Sequence, residues 1–267
     1  MRYEILGPLR ITVGGESPPV GTHKMEALLR TLLIRNGQVV SLDQLMQELW
    51  DKTPPTRAVA SLHVYVSQLR KALNKYSGNA DVITTRAPGY MLELGRDELD
   101  VDLFLALREK GRMQMGMSHN AAAARTLSEA IGVWREPVQA ASHEGPIVRE
   151  FANWVEELRV DCMELLAHAL LASDQAGEAI RILYPLITEY PLRENPYAFL
   201  MEALSLAGRR AEALKVYRTA HKRIREELGL DPCRLLREAH EYILDDRLDE
   251  LSVRRSRREG DIRVRAS

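Results

Sequence analysis

Tyr3 and Ile5, then Leu9, Ile11 and Val13, alternate with polar residues, and Gly7-Pro8 and Gly14-Gly15 punctuate them. A period of two bounded by turn residues predicts two short antiparallel strands, followed by a turn-rich connection through Pro18, Pro19 and Gly21. From Lys24 the period lengthens. Met25, Leu28, Leu29, Leu32 and Leu33 mark one face of a helix, which Asn36-Gly37 ends. Ser41-Leu42-Asp43-Gln44 reads as a capping box, with Ser41 as the N-cap and Gln44 reaching back, so a second helix runs to about Trp50. The tandem prolines Pro54-Pro55 make residues 51–56 a loop.

The next helix, over residues 57–75, is the most informative element. At about 100° per residue, Leu62, Val66, Leu69 and Leu73 fall in one narrow stripe that faces a core. The opposite face carries Arg57, Ala60, Val64, Ser67, Gln68, Lys71 and Lys75, and no Asp or Glu occurs between residues 56 and 76. Gly78-Asn79 ends this helix. Val82-Ile83-Thr84-Thr85 then reads as a strand, Arg86-Ala87-Pro88-Gly89 as a turn, and residues 90–94 as the returning strand of a hairpin.

From Asp100 onward the pattern is helical, with breaks near Met117-Ser118, residues 136–146, Asp174, Pro191, Gly208 and residues 229–232. Sliding the chain by 34 residues places Ala169, Leu170, Glu178 and Ala179 on Ala203, Leu204, Glu212 and Ala213. That period is the mark of tetratricopeptide-like helix pairs, whose small residues let paired helices approach closely. Residues 101–134 supply a third candidate pair, with residues 121–130 as its second helix. The fold class expected is mainly α: an N-terminal α+β domain, then an all-α helical repeat domain.

Composition sharpens this picture in three ways. The chain has 267 residues, 45% hydrophobic and 28% charged, enough for two domains with a buried core. The net charge of −1 hides an asymmetry: residues 1–95 carry 11 Lys+Arg against 8 Asp+Glu, and residues 96–251 carry 20 against 28. Residues 252–267 carry 6 against 2, including Arg254-Arg255-Ser256-Arg257-Arg258, so a basic, disordered tail is expected over 251–267. Only part of the chain therefore suits a polyanion. Lastly, Cys162 and Cys233 have no paired spacing, which argues against a disulfide framework or a zinc site and for buried or half-buried thiols in a reducing compartment. The start of the chain does not read as a signal peptide, and no run of apolar residues suffices to span a membrane.

Catalytic constellations are missing from the sequence. There is no phosphate-binding loop, dinucleotide glycine fingerprint, nucleophile elbow, His-Glu-x-x-His pair or cysteine nucleophile signature. His143, His168 and His221 read as surface or satisfied core residues. The acidic pairs Glu156-Glu157, Glu226-Glu227 and Asp245-Asp246 read as solvated helix faces, because adjacent helical residues point different ways. No enzyme activity, cofactor or metal is expected. The acid-free face of the 57–75 helix has two readings: a solvated basic surface, or a helix that enters a DNA major groove. In the second reading Lys and Arg neutralise phosphates, Gln68 hydrogen-bonds base edges and Val64 touches a thymine methyl, while Arg86 of the hairpin reaches the adjacent minor groove. The flanking order of strands, three helices and a hairpin favours DNA.

Several runs carry a resemblance. Leu42-Asp43-Gln44-Leu45, Glu48-Leu49-Trp50, Pro54-Pro55, Leu62-His63-Val64-Tyr65-Val66-Ser67-Gln68-Leu69-Arg70-Lys71-Ala72-Leu73 and Thr85-Arg86-Ala87-Pro88-Gly89-Tyr90 resemble the OmpR/PhoB-type winged helix. Tyr190-Pro191-Leu192-Arg193-Glu194, Ala207-Gly208-Arg209-Arg210-Ala211-Glu212-Ala213-Leu214, Tyr217 and Glu227-Leu228-Gly229-Leu230-Asp231-Pro232 resemble a bacterial transcriptional activation domain. Together, over residues 1–246, they resemble the SARP family (Streptomyces antibiotic regulatory proteins). The resemblance implies a winged-helix DNA-binding domain over 1–95 and an activation domain over 98–250. It also implies a cytoplasmic, nucleoid-associated activator of an antibiotic gene cluster. Such a protein binds double-stranded promoter DNA at direct repeats near the −35 region, as a head-to-tail dimer. It recruits RNA polymerase holoenzyme through its sigma factor or its alpha or beta subunits.

Carried over position by position, the resemblance implies DNA contacts at Ser61, His63, Val64, Ser67, Gln68, Arg70 and Lys71 in the helix, and at Arg86 and Tyr90 in the wing. The residue reading adds Arg57 and Lys75. The loop of Asp51, Lys52, Thr53, Pro54, Pro55 and Thr56 corresponds to the one that faces polymerase. Response-regulator relatives often carry arginines where this chain has Ser67 and Gln68, so the resemblance does not carry over their base preference at these positions. Neither a receiver domain before the winged helix nor a nucleotide-binding ATPase region after the repeats is expected. The rival reading is a helical-repeat adaptor whose winged helix binds protein. The basic recognition face argues against it.

Overall fold

The structure is a computed structural model that describes residues 1–51, 53–76, 82–136, 138 and 145–245. Lys52, the helix stop at Gly78-Asn79, His143 and the tail 251–267 lie outside the described residues. The architecture is mainly helical: an N-terminal α+β region with two small sheets, then helices. It divides into two compact units. The first is Met1–Leu105 with Gly132–Leu158, and the second is Ala106–Ile131 with the described chain from Arg159.

In the first unit, β1 (Arg2–Glu4) pairs antiparallel with β2 (Arg10–Thr12), as the alternation predicts. The apolar faces that follow become α1 (His23–Ile34), α2 (Leu42–Trp50) and α3 (Ala58–Asn74), which pack on one another. The capping box is present at both of its bonds. Ser41 Oγ accepts the Gln44 N–H at 3.2 Å, and Gln44 Oε1 accepts the Ser41 N–H at 3.0 Å. Leu28, Leu29, Leu32 and Leu33 from α1, Leu45 from α2, and Leu62, Val66 and Leu69 from α3 are at most 1% exposed and form the centre of the core. Burial of this apolar stripe, rather than helix propensity, holds the three helices together. The hairpin is β4 (Ile83–Arg86) and β5 (Gly89–Leu92), joined by a two-residue turn with a cis Ala87–Pro88 peptide. A third strand, β3 (Val39–Ser41), pairs antiparallel with β5, so the order is β3-β5-β4.

The first compact unit also takes in chain beyond residue 95. β6 (Glu98–Leu99) adds to the first sheet in parallel with β1. Asp100, 1% exposed, follows at once, and its carboxylate accepts the N–H groups of Ile5 and Leu6 at 2.9 Å each. Burial holds its pKa above the ordinary aspartate value, and the two N–H donors act against that rise. Phe104, fully buried on α4 (Asp100–Gly116), meets the Trp134 ring edge-on at 5.4 Å. Arg135 donates to the Pro8 carbonyl. The division between units thus falls inside α4 and inside α6 (Pro146–Leu171).

The second unit takes in the rest of α4 and α6 with α5 (Asn120–Gly132, to Ile131), α7 (Ala176–Glu189), α8 (Glu194–Leu206), α9 (Arg210–Leu228) and α10 (Arg234–Leu244). The repeat is visible in its backbone. Asp174 and Gly208 both have positive φ, at 58° and 75°. The Gln175 N–H bonds the Leu170 carbonyl at 2.9 Å, and the Arg209 N–H bonds the Leu204 carbonyl at 2.8 Å, 34 residues further on. The same joint occurs a third time, with Ser118 at φ 60° and the His119 N–H on the Gln114 carbonyl at 2.9 Å. Three helix pairs therefore share one turn geometry, the left-handed C-terminal stop of a helix. Ala169, Ala179, Ala203 and Ala213, the repeat-matching alanines, are fully buried.

Candidate nucleic-acid interface

α3 presents the face that its periodicity predicts. Leu62, Val66, Leu69 and Leu73 are buried, while Arg57, Ala60, His63, Val64, Ser67, Gln68, Lys71 and Lys75 are exposed and Ser61 is half-buried. Val64 is 52% exposed, an apolar β-branched side chain left in water one turn from Gln68. Exposing such a residue gains a solvated helix nothing, whereas a thymine methyl would cover it. No carboxylate on this helix opposes the positive potential of Arg57, Lys71 and Lys75.

Two of the expected contact residues are turned toward the protein. Tyr90, in the central strand of its sheet, is only 7% exposed, and its ring stands edge-on to His63 at 6.3 Å. Arg70 is half-buried. Its Nε donates to the Ile83 carbonyl at 2.8 Å, one Nη donates to Thr85 Oγ1 at 2.9 Å, and its guanidinium lies 5.7 Å from the Tyr90 ring centre. Reading the helix by itself places Arg70 on the flank of the apolar stripe but does not say which element folds against that flank. The hairpin does. Arg86 closes β4, paired with Gly89, and is exposed. Gly89 is required there by close approach, because a Cβ on it would lie 1.9 Å from the Val40 carbonyl oxygen of β3.

The loop before α3 starts at Asp51, whose φ of 51° turns the chain out of α2. The Thr53 N–H bonds the Trp50 carbonyl at 3.1 Å, and the Ala58 N–H bonds the Pro55 carbonyl at 2.9 Å. Trp50 stacks on Tyr65 of α3 at 6.3 Å, and Lys24 of α1 lies 6.0 Å over the Trp50 ring while donating to the Leu49 carbonyl. This anchors the loop at its root. Asp51, Thr53, Pro54, Pro55 and Thr56 themselves are exposed. Pro54, Pro55 and Thr56 border an open groove of about 620 Å³ that Met46, Val59 and His63 also line.

Elsewhere, no group of three His, Cys, Asp or Glu able to hold a metal occurs among the described residues. No described helix is long and apolar enough to cross a membrane. Burial pushes the Cys162 thiol up to about 12.

Three helices closed by a β-hairpin, with an acid-free face on the third, define a winged-helix DNA-binding domain, here followed by helical repeats. Comparison with known proteins agrees. The family described as "Transcriptional regulatory protein, C terminal" matches residues 17–92, and the "Bacterial transcriptional activator domain" matches residues 99–244. The transcriptional regulatory protein MoaR1 of Mycobacterium tuberculosis is 31% identical over 98% of this chain and 86% of its own. The transcriptional regulator RedD of Streptomyces coelicolor is 33% identical over 91% of this chain and 70% of its own. The solved structure of Mycobacterium tuberculosis EmbR in complex with a low affinity phosphopeptide superposes with a TM-score of 0.87 at 32% identity, covering 98% of this chain and 70% of that one. This chain spans 63% of the EmbR sequence. The chain belongs to the SARP family of transcriptional regulators, a winged helix joined to a bacterial transcriptional activator domain. These relatives are regulators of transcription.

Proposed function

We propose that this protein is a pathway-specific activator of a secondary-metabolite gene cluster. It binds direct repeats near the −35 region with α3 in the major groove and the β4–β5 hairpin over the adjacent minor groove. The exposed face of α3 carries this reading: Val64 and Gln68 stand outward one turn apart, with Arg57, Lys71 and Lys75 around them and no carboxylate. In this reading Val64, Ser67 and Gln68 meet base edges, whereas Arg57, Ser61, His63, Lys71 and Lys75 hold the phosphate backbone. Arg86 is the wing's contact, since short hairpins suit the narrow groove, where the negative potential is strongest. The loop 51–56, rooted by the Trp50–Tyr65 stack and exposed at Asp51 and residues 53–56, then faces RNA polymerase in the cytoplasm.

Mobility shift and footprinting on the protein's own upstream DNA test this reading, together with transcription by polymerase holoenzyme. Head-to-tail protomers should occupy two repeats about one helical turn apart, cooperatively. Inserting ~5 bp, half a turn, moves the second site to the opposite face of the duplex and should abolish the cooperativity. Cooperative binding that survives the insertion would refute the tandem arrangement.

A further inference from the structure

Resting on the DNA-binding reading, we propose that Arg70 is a positioning residue that aims the wing: it braces the hairpin against α3 so that Arg86 meets the groove beside the one α3 occupies. Arg70 sits on the helix but spends its side chain on the hairpin. The Nε–H and one Nη–H each satisfy an acceptor on β4, the Ile83 carbonyl and Thr85 Oγ1, at 2.8 and 2.9 Å. The guanidinium carbon also lies 5.7 Å over the ring centre of Tyr90 in β5, so one side chain reaches both strands of the wing. His63, seven residues or two turns before Arg70 on the same flank, also packs against the Tyr90 ring, T-shaped at 6.3 Å.

The position of these bonds explains why they matter for aim. Ile83 and Thr85 belong to β4, an outer strand whose only strand partner among the described residues is β5. Arg86 is the next residue after Thr85. A strut at Thr85 therefore fixes the direction of the side chain that reaches for DNA, while β3 and β5 fix only the inner side of the sheet. A planar fork holds two acceptors on one strand in a fixed geometry, whereas a lysine ammonium, a point charge with freely rotating donors, fixes neither. The charge alone is thus insufficient, which separates bracing from phosphate neutralisation.

The experiment compares wild type with Arg70→Lys, Arg86→Ala and the double variant in the full chain. Affinities for the upstream DNA and backbone hydrogen exchange without DNA are both measured. If Arg70 aims the wing, Arg70→Lys should lose about as much affinity as Arg86→Ala, roughly tenfold for one charge-assisted contact. The double variant should then lose little beyond either single one. Exchange across residues 83–92 should rise in Arg70→Lys while residues 62–73 of α3 stay protected. Arg70→Lys binding like wild type, with the Arg86→Ala loss fully additive, would overturn the proposal in favour of a simple phosphate contact. Unchanged exchange across 83–92 would also overturn it, whether or not DNA is bound. Wild-type protein that binds no DNA at all would instead overturn the functional reading, and the exchange result would still decide the strut.

Discussion

The carboxylate of Glu48, in the last turn of α2, accepts the backbone N–H of Ile147 at 2.6 Å and that of Val148 at 3.4 Å. Glu48 is only 3% exposed. It occupies the start of α6, where the first N–H groups of a helix have no internal partner and the helix dipole favours an anion. Gly145 leaves the space, since a Cβ there would lie 2.4 Å from the Glu48 Cα. The helix that precedes α3 is therefore joined to a segment that the family boundary assigns to the transcriptional activator domain.

Removing this cap should destabilise the first unit. Glu48→Ala leaves the α6 N–H groups buried and unpaired, which costs about 1–3 kcal/mol, and Glu48→Gln, which keeps one acceptor, should cost less. Urea titrations of the full chain check the order. By the same reasoning, a fragment of residues 1–95 lacks Asp100, Trp134 and the first turns of α6. It should melt lower and less cooperatively than the winged helix does within the full chain.

Gly89 gives a second test. Gly89→Ala drives a methyl into the Val40 carbonyl oxygen of β3, and overpacking of this kind costs about 1–3 kcal/mol. Because β3 and β5 must part to admit it, DNA affinity should fall along with the melting temperature. A variant with wild-type melting and binding would show that the close approach is not maintained in solution.

Thiol reactivity separates the two cysteines. Cys162 is fully buried, with its pKa pushed up to about 12 by desolvation, so the native protein should resist alkylation there at neutral pH. Cys233 is half-buried and its pKa is also raised by burial, so it should react slowly, and first. Mass spectrometry after brief iodoacetamide treatment reads the order directly.

Features governed by neighbouring residues were legible in the sequence. The Ser41–Gln44 capping box spans one turn, and the stripe of Leu62, Val66, Leu69 and Leu73 is a single helix face. The breaks at Ser118, Asp174 and Gly208 are local backbone requirements, and the 34-residue shift made two of them coincide. β3 and β6 were not legible, because Val39–Ser41 runs straight into α2 and Glu98–Leu99 straight into α4, so neither stands apart as an alternating run bounded by turns. Neither were the Asp100 and Glu48 carboxylates, whose partners lie 95 and 99 residues away. The roles of Arg70 and Tyr90 depend on which side of α3 the hairpin folds, and a helical wheel contains no such information.

Base reading should reside in Val64 and Gln68. Replacing either with Ala should cost roughly 1–3 kcal/mol on the proper site and little on scrambled DNA, narrowing the specificity ratio. Arg86→Ala should weaken binding to both. Paired titrations at one salt concentration distinguish the two patterns. Equal losses on both DNAs for Gln68→Ala would remove it from the base-reading set.

The central claim, that the acid-free face of α3 and the wing engage the DNA backbone, is tested most directly by the salt dependence of binding to the upstream fragment. Arg57, Lys71, Lys75 and Arg86 are exposed and positively charged, and about four to six phosphates neutralised per protomer gives a log–log slope near −0.9 per contact. Arg86→Ala should flatten that slope by about one contact. A steep negative slope that responds to Arg86 in this way is the result expected. A slope indistinguishable from zero would contradict it.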